Sequence, residues 1–225
     1  MVIVHGAFAD GSDWAKVVPL LQAEGVAVTV VQNPLTSLAD DVAATQRALN
    51  NQDGKVVLVG HSWGGTVITE AGNDNKVSAL VYVAAFAPNA GQTSGEQGKG
   101  APTPPGISQL KTDSNGFIYL TPEGMASDFA QDLPAAQTAV MTATQGPIKA
   151  SAFEDKVTAA AWKTKPSWYL LATQDRMIHP DVQRSSAKRI GANLSEVNTS
   201  HVPQQSQPAE VAKVILAAVH EVATQ

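Results

Sequence analysis

The pentapeptide Gly-His-Ser-Trp-Gly at residues 60–64 limits the possible folds of this chain more than any other stretch of it. The run before it, residues 55–59, is apolar and rich in β-branched side chains, which is typical of a buried strand. The residues after it can begin a helix at once. A serine in such a strand-to-helix turn adopts strained backbone angles, and glycines beside it avoid the clash that side chains would cause. The pattern predicts a nucleophile elbow that presents the hydroxyl of Ser62 above a helix N-terminus.

A serine hydroxyl is a poor nucleophile until a base removes its proton, so a histidine and an acid are expected elsewhere in the chain. Asp175 and His201 each come directly after a strand-like run. Loops that follow parallel strands open on one edge of a sheet, so these two residues can converge on Ser62. We therefore predict a Ser62–His201–Asp175 triad, with Asp181 and Asp155 as the alternatives for the acid.

Strand and helix patterns alternate along the chain, as a parallel sheet covered by helices requires. Strand-like runs lie at 1–5, 27–31, 55–60, 77–84, 167–173 and 193–197, and helix-like runs lie near 13–24, 38–51, 64–74, 180–190 and 208–223. Ser37 is suited to cap the second of these helices. The expected fold class is α/β, with a mostly parallel, doubly wound sheet of about six strands.

The alternation breaks between Pro88 and Lys165. Residues 91–106 contain five glycines and three prolines, which predicts an irregular loop. Residues 122–160 are rich in alanine with apolar residues at helical spacing, which predicts helices. We expect residues 1–87 and 166–225 to form one core and residues 88–165 to form a helical lid over the serine. The alternative is a pair of helices that only covers the sheet.

The chain resembles the α/β-hydrolases, and among them the small-lid group that includes plant methylesterases and hydroxynitrile lyases. Three stretches carry the resemblance: the His-Gly-Ala-Phe segment that starts at His5, the elbow, and the segment from Ala172 to His201. The order serine, acid, histidine is also that of this fold. The resemblance implies that backbone amides of Ala7 or Phe8, together with Trp63, form an oxyanion hole.

Two departures from the group bear on the reaction. Its hydroxynitrile lyases have a threonine after the first histidine and a lysine after the catalytic histidine, whereas this chain has Gly6 and Val202. It therefore lacks the hydroxyl that holds a cyanohydrin and the positive charge that stabilises departing cyanide. Epoxide hydrolases and haloalkane dehalogenases of the fold use an aspartate nucleophile, which Ser62 excludes. The resemblance then implies acyl chemistry.

Three classes of function fit these residues. The first is a serine esterase or lactonase for a small, fairly apolar substrate, acting through an acyl-enzyme. The second is a cofactor-free perhydrolase or haloperoxidase-like enzyme, and the third is a ligand-binding receptor on a hydrolase fold. We favour the first class, and we expect Trp63, Phe86 and Phe129 to line the acyl side of its pocket.

Composition limits the partners of the chain. A net charge of −5 without a basic cluster argues against nucleic acid or anionic membrane. The absence of cysteine removes disulfides, thiolate metal sites and cysteine nucleophiles. No motif shows metal-ligand spacing or a nucleotide-binding loop, so neither a metal nor a cofactor is expected. The expected partner is a small-molecule ester, bound by a monomer or homodimer.

The remaining histidines and the N-terminus complete the expectations. We expect His5 and His61 to support the backbone beside the site, His179 to lie at the surface where a helix starts, and His220 to be structural. The chain runs directly into its first strand, whereas relatives usually carry residues before it. A cytoplasmic protein is expected, and a secreted or periplasmic one is the alternative.

Overall fold

The computed structural model describes residues 1–224 and contains the expected alternation of strands and helices. The strands are β1 (Val2–Val4), β2 (Thr29–Val31), β3 (Val56–His61), β4 (Val77–Val83), β5 (Leu110–Thr112), β6 (Phe117–Leu120), β7 (Ile148–Lys149), β8 (Ser167–Ala172) and β9 (Asn193–Val197). The helices are α1 (Val18–Ala23), α2 (Leu38–Asn50), α3 (Trp63–Ala71), α4 (Pro122–Gly124), α5 (Ala135–Thr144), α6 (Pro180–Arg189), α7 (Pro203–Ser206) and α8 (Pro208–Ala223).

The central sheet has six parallel strands in the order β2-β1-β3-β4-β8-β9. The chain passes from β1 outward to β2 and then returns to β3 on the other side of β1. In such a sheet the loops after the two strands that flank this reversal leave a crevice where ligands bind. Ser62 follows β3 directly, so the serine turn lies at this switch point. The predicted doubly wound, mostly parallel sheet is confirmed.

Two apolar cores lie on the two faces of the sheet. Successive side chains of a strand point to opposite faces, so Ile3 and Val59 join one core while Val4 and Leu58 join the other. Helices α1 and α8 cover the first face, and α2, α3 and α6 cover the second. The sheet is therefore buried on both sides, which explains why its central strands read as unbroken apolar runs.

The helix α2 shows how local sequence sets an element. Ser37 accepts a hydrogen bond from the Asp40 amide at 3.0 Å, which is the predicted N-cap. Leu38, Thr45 and Leu49 form the buried stripe of this helix. Among the helices of residues 1–224, none has both the length and the apolar character needed to cross a membrane.

The region between β4 and β8 differs in part from its prediction. A three-stranded antiparallel sheet in the order β5-β6-β7 lies in this region and was not predicted; β5 and β6 precede the range 122–160 predicted to be helical, and β7 lies within it. Helical structure there consists of α4, a π-helical turn at Met125–Phe129, α5 and short 3₁₀ turns. Strands β5 and β6 form a local hairpin, and the Asn115-Gly116 pair between them is a turn signal in the sequence. Strand β7 pairs with β6 from much farther along the chain, Ile148 with Ile118, so no local pattern reveals that pairing. We refer to residues 88–165 as the cap.

The predicted loop over 91–106 agrees with the structure. After β4 ends at Val83, no helix or strand of the described chain begins before Pro105. The segment is nevertheless tied down, because the Gly91 amide donates to the Val157 carbonyl at 2.7 Å. The loop is thus irregular in conformation but bonded to the rest of the cap.

Candidate active site

The serine turn has the strained geometry that the sequence predicts. Ser62 has φ 53° and ψ −121°, in a region that residues with a side chain rarely occupy. A Cβ on Gly60 would lie 2.5 Å from the Gly64 carbonyl oxygen, and a Cβ on Gly64 would collide with the carbonyl oxygen of Val4. Only glycine allows α3 to start so close to β1 and β3. The result is a hydroxyl held at the N-terminus of α3.

His201 lies between the serine and an aspartate. Its Nε2 is 2.8 Å from Ser62 Oγ, and its Nδ1 is 2.7 Å from Asp175 Oδ2. The imidazole is buried, and it follows β9 in a loop at the carboxyl edge of the sheet. With its proton on Nδ1, the ring donates to the carboxylate and presents its Nε2 lone pair to the hydroxyl. This arrangement can remove the serine proton.

The Asp175 carboxylate is oriented by three further donors. Its Oδ1 accepts hydrogen bonds from the amides of Met177 at 2.7 Å and Ile178 at 2.9 Å. Its Oδ2 also accepts from Gln183 Nε2 at 2.7 Å. Gln183 lies on α6 and is completely buried. Because a buried polar side chain needs a hydrogen-bond partner, its place on the apolar side of this helix is the sequence signal that could have identified it as a partner of the acid. The carboxylate therefore has little freedom to turn away from His201.

The two alternative acids lie elsewhere. The Asp181 side chain is 70% exposed and forms an ion pair with Arg184. Asp155 caps the N-terminus of α2, where its Oδ2 accepts the Leu38 amide at 2.9 Å. Of the three aspartates considered from sequence, Asp175 is the one that the fold brings to the histidine.

The hydrogen bonds of the backbone distinguish between the three amides predicted to form the oxyanion hole. The Phe8 amide donates to the Gly146 carbonyl at 2.9 Å, so it is already used. Within residues 1–224, the amides of Ala7 and Trp63 have no hydrogen-bond acceptor. The segment after β1 also passes close to the nucleophile, since a Cβ on Gly6 would lie 2.8 Å from Ser62 Cβ. Of the three amides predicted from the sequence, those of Ala7 and Trp63 are thus without an acceptor in the described chain.

The prediction that the Trp63 side chain lines the pocket is wrong. The indole is fully buried, and its Nε1 donates to Asp41 Oδ2 at 2.7 Å. It also packs edge-on against Phe153 with ring centroids 5.4 Å apart. Buried indole N–H groups usually find an acceptor, and the carboxylate on α2 supplies one for Trp63 in the core beneath the cap.

The other two predicted pocket residues have different positions. Phe129, on the π-helical turn, packs edge-on against the His201 ring with centroids 5.1 Å apart. It also meets Phe8 at 6.2 Å, so it covers the base from the cap side. Phe86 is half-buried and lines a cavity next to the triad.

That cavity is mainly apolar and has a volume of about 570 Å³. Its apolar wall is formed by Phe86, Pro102, Pro104, Ile107, Leu110, Ile118, Phe153, Met177, Ile178 and Val182. Several of these residues are bonded directly to triad members: the Phe86 amide donates to the Ser62 carbonyl at 3.2 Å, and the Met177 amide donates to Asp175. The cavity therefore lies between the cap and the two loops that carry the serine and the acid.

His5 and His61 support the backbone, as predicted. His61 Nε2 is 2.7 Å from the carbonyl oxygen of His201, and His5 Nδ1 is 2.8 Å from the carbonyl oxygen of Gly6. His5 Nε2 accepts the Asn33 amide at 2.9 Å. Burial lowers the pKa of both imidazoles, which favours the neutral form that these contacts need.

Asp13 is a buried carboxyl that sequence reasoning missed. It accepts hydrogen bonds from Gln204 Nε2 at 2.6 Å and Gln205 Nε2 at 2.9 Å. Both glutamines follow His201 closely in sequence, so Asp13 fastens the histidine loop to the turn at Gly11–Trp14. Burial raises the pKa of Asp13. No local sequence signal points to this role, because the partners lie at opposite ends of the chain.

The remaining histidines lie outside the triad, although His179 also lines the cavity beside it. His179 is the N-cap of α6, with its Nδ1 accepting the Asp181 amide at 3.2 Å, and His220 is exposed on α8. Across residues 1–224, no three or more His, Asp or Glu side chains are grouped so that they could hold a metal ion.

Comparisons with known sequences place the chain in one family. The profile described as the Alpha/beta hydrolase family matches residues 1–214. Methylesterase 2 of Arabidopsis thaliana is 27% identical, over 96% of this chain and 94% of the relative. A pyrethroid hydrolase of Sphingobium wenxiniae is 26% identical, over 96% of this chain and 85% of the relative.

Solved structures agree on the fold. The crystal structure of polyneuridine aldehyde esterase has a TM-score of 0.83 to this chain at 22% identity, covering 96% of this chain and 97% of the other. That of a methylesterase from Arabidopsis has a TM-score of 0.79 at 23% identity, covering 97% and 98%. The resemblance to the methylesterase group is confirmed, and with the family profile matching residues 1–214, the chain belongs to the alpha/beta hydrolase family.

Proposed function

We propose that this protein is a serine hydrolase that cleaves a small carboxylic ester or lactone through an acyl-enzyme. The observation that carries the proposal is the hydrogen-bonded chain of Ser62, His201 and Asp175, with contacts of 2.8 and 2.7 Å. Relatives named as a methylesterase and a pyrethroid hydrolase support ester hydrolysis as the reaction type.

In the first half of the proposed reaction, His201 Nε2 takes the proton of Ser62 Oγ as the oxygen attacks the ester carbonyl. Asp175 holds the imidazole in the tautomer with its proton on Nδ1 and stabilises the imidazolium that forms. His201 then gives the proton to the leaving alcohol, and the acyl group stays on the serine. In the second half, His201 activates water in the same way, and the acid is released.

The amides of Ala7 and Trp63 stabilise the negative charge that develops on the carbonyl oxygen. They come from the ends of β1 and β3, which flank the switch point of the sheet. Both amides are without an acceptor in the described chain, so they are free to bind the oxyanion. A donor of this kind typically contributes about 3 kcal/mol to transition-state stabilisation.

The cap, residues 88–165, is proposed to act as the lid. Its Phe129 covers His201, and its side chains form much of the apolar wall beside the triad. Such a cover keeps bulk water from the reacting atoms and shapes the space for the substrate.

Labelling with an organophosphate or a sulfonyl fluoride tests the proposal. The organophosphate should phosphorylate Ser62, or the sulfonyl fluoride sulfonylate it, with loss of the reagent's leaving group, because His201 can deprotonate the hydroxyl. Intact-protein mass spectrometry should show one adduct that is lost in Ser62→Ala, and wild-type protein should hydrolyse p-nitrophenyl acetate. Labelling at another residue with Ser62 unmodified would refute the assignment of Ser62 as the nucleophile.

The two alternative functions predict different results. Peracetic acid formation from acetate and peroxide without ester hydrolysis would favour perhydrolysis, and ligand binding without turnover would favour a receptor.

A further inference from the structure

Within residues 128–132 of the cap, three polar side chains contact the chain neighbours of the catalytic acid and of the catalytic histidine. Asp128 approaches Arg176, which follows Asp175, with Oδ1 and Nε 2.7 Å apart. The Asp128 side chain is 6% exposed. The Arg176 side chain is 48% exposed, so solvent partly screens the pair, and the contact serves mainly to place the cap segment beside the acid loop.

The next contacts are hydrogen bonds to backbone groups of the two loops. Gln131 Nε2 donates to the carbonyl oxygen of Gln174, the residue before the acid, at 2.7 Å. Asp132 Oδ2 accepts the amide of Ser200, the residue before the histidine, at 2.9 Å. Ser200 itself is completely buried, so its amide depends on this carboxylate as its acceptor.

The two loops are also joined to each other. The Gln174 amide donates to the carbonyl of Thr199 at 3.0 Å. A single cap segment thus contacts two loops that are hydrogen-bonded to each other. The π-helical turn Met125–Phe129, a type of turn often found at functional sites, carries Asp128 and places Phe129 against the His201 ring.

We propose that residues 128–132 form a positioning segment that keeps Asp175 and His201 aligned with Ser62 when the cap is closed over the site. This inference rests on the proposed hydrolase function and deepens it, because it makes the cap part of the alignment of the triad. The physical reason is the sensitivity of proton transfer to geometry, since a displacement of about 1 Å in a catalytic group can cost on the order of 100-fold in rate.

The main test compares Asp132→Ala with Asp132→Asn. Alanine removes the acceptor of the Ser200 amide, whereas asparagine keeps an oxygen in that position. We expect Asp132→Ala to lower kcat about tenfold with KM changed by less than about twofold, and Asp132→Asn to restore most of the rate. The rate of organophosphate labelling at Ser62 should fall in parallel with kcat in Asp132→Ala, because both depend on deprotonation by His201.

Glu123→Ala is the matched control, since Glu123 is an exposed carboxylate on α4 of the same cap. It should keep wild-type kcat and labelling rate. Gln131→Ala, which removes the contact with the acid loop, should lower kcat in the same manner and provides a second variant if Asp132→Ala does not fold. If both folded variants keep kcat within twofold of wild type, even with a lower Tm, the segment is only structural and the proposal is wrong.

The two proposals fail in distinguishable ways. A wild-type protein that neither hydrolyses p-nitrophenyl acetate nor labels at Ser62 overturns the proposed function, and the positioning proposal with it. An active, labelled wild type with fully active Asp132→Ala and Gln131→Ala overturns the positioning proposal alone.

Discussion

Asp41 is a buried carboxylate that two hydrogen bonds connect to the serine turn. Its Oδ2 accepts the indole N–H of Trp63, and its Oδ1 accepts the amide of Leu35 at 2.8 Å. Trp63 also supplies one of the proposed oxyanion amides, and the Leu35 carbonyl accepts the amide of Lys149 in the cap. One residue of α2 thus holds the ring beneath the oxyanion hole and a turn that supports the cap.

Asp41 should make stability depend on pH. Burial raises its pKa to about 6, whereas the carboxyl titrates near 4 in the unfolded chain. Asp41 stays protonated to a higher pH in the folded protein than in the unfolded chain. Its contribution to the free energy of unfolding therefore declines as pH rises from about 4 to 6, and it is constant at higher pH. The difference between wild type and Asp41→Asn should therefore fall by up to about 3 kcal/mol over this range.

Urea unfolding at several pH values between 4 and 7 measures this difference. Asp53→Asn is the control, because Asp53 is exposed and its substitution should not alter the pH dependence. A difference between wild type and Asp41→Asn that stays constant with pH would show that Asp41 does not titrate as described.

The assignments of base and acid give a second prediction at the residue scale. His201→Ala should remove most activity, and Asp175→Asn should leave the fold intact but misorient the imidazole. Each change should lower kcat on the order of 10³-fold or more. Steady-state kinetics on p-nitrophenyl acetate measure the loss. Asp181→Asn is the control with near wild-type kcat, and the acid is misassigned if that variant is inactive while Asp175→Asn is not.

At the scale of elements, the close approach of α3 to its neighbours depends on glycine. A Cβ on Gly65 would collide with the backbone carbonyl oxygen of Phe86 and lie 2.7 Å from the Ala85 side chain. Backbone atoms cannot move aside as a flexible side chain can, so the helix itself would have to shift. Such a shift would move the serine turn at the start of the helix.

Gly65→Ala should therefore destabilise the protein by about 1–3 kcal/mol, the usual cost of overpacking a core. Gly98→Ala is the matched control, since a Cβ at Gly98 would meet nothing within 4 Å. Chemical denaturation of the two variants measures the difference. Equal stability of both variants would contradict the close packing of α3 beneath the end of β4.

At the scale of the whole molecule, we expect the sheet edge and the cap together to select the substrate. The cavity between them is apolar, of about 570 Å³, and adjoins the loops of the serine and the acid. Its lining comes from the cap and from both halves of the core. The size of an acyl group that fits is therefore a property of the assembled molecule.

We predict hydrolysis of short-chain esters, with kcat/KM declining once the acyl chain outgrows the space between the cap and the core, because methylenes beyond that length must displace cap packing. A series of p-nitrophenyl esters from acetate to dodecanoate measures this trend, and a maximum at long chains would contradict it. Mandelonitrile should not be cleaved, since Gly6 and the fully buried Val202 place no cation where cyanide would leave. Release of cyanide would contradict the assignment as a hydrolase.

Much of this protein is determined by local sequence. The six parallel strands, their covering helices, the Ser37 cap and the strained turn at Ser62 follow from hydrophobic periodicity, glycine placement and capping side chains, each of which acts within a few residues. The order of serine, acid and histidine along the chain was equally readable, because a parallel sheet carries the loops after its strands to one edge.

Only the tertiary structure decided the contacts between distant segments. It brought Asp175, rather than Asp155 or Asp181, to the histidine by placing the loop after β8 beside the loop after β9. It turned the Trp63 indole into the core because a carboxylate from α2 lies there. It also paired β7 with β6 in the cap and brought residues 128–132 onto both catalytic loops. Each of these depends on partners far apart in sequence, and neither periodicity nor spacing records which distant side chain will supply a hydrogen bond.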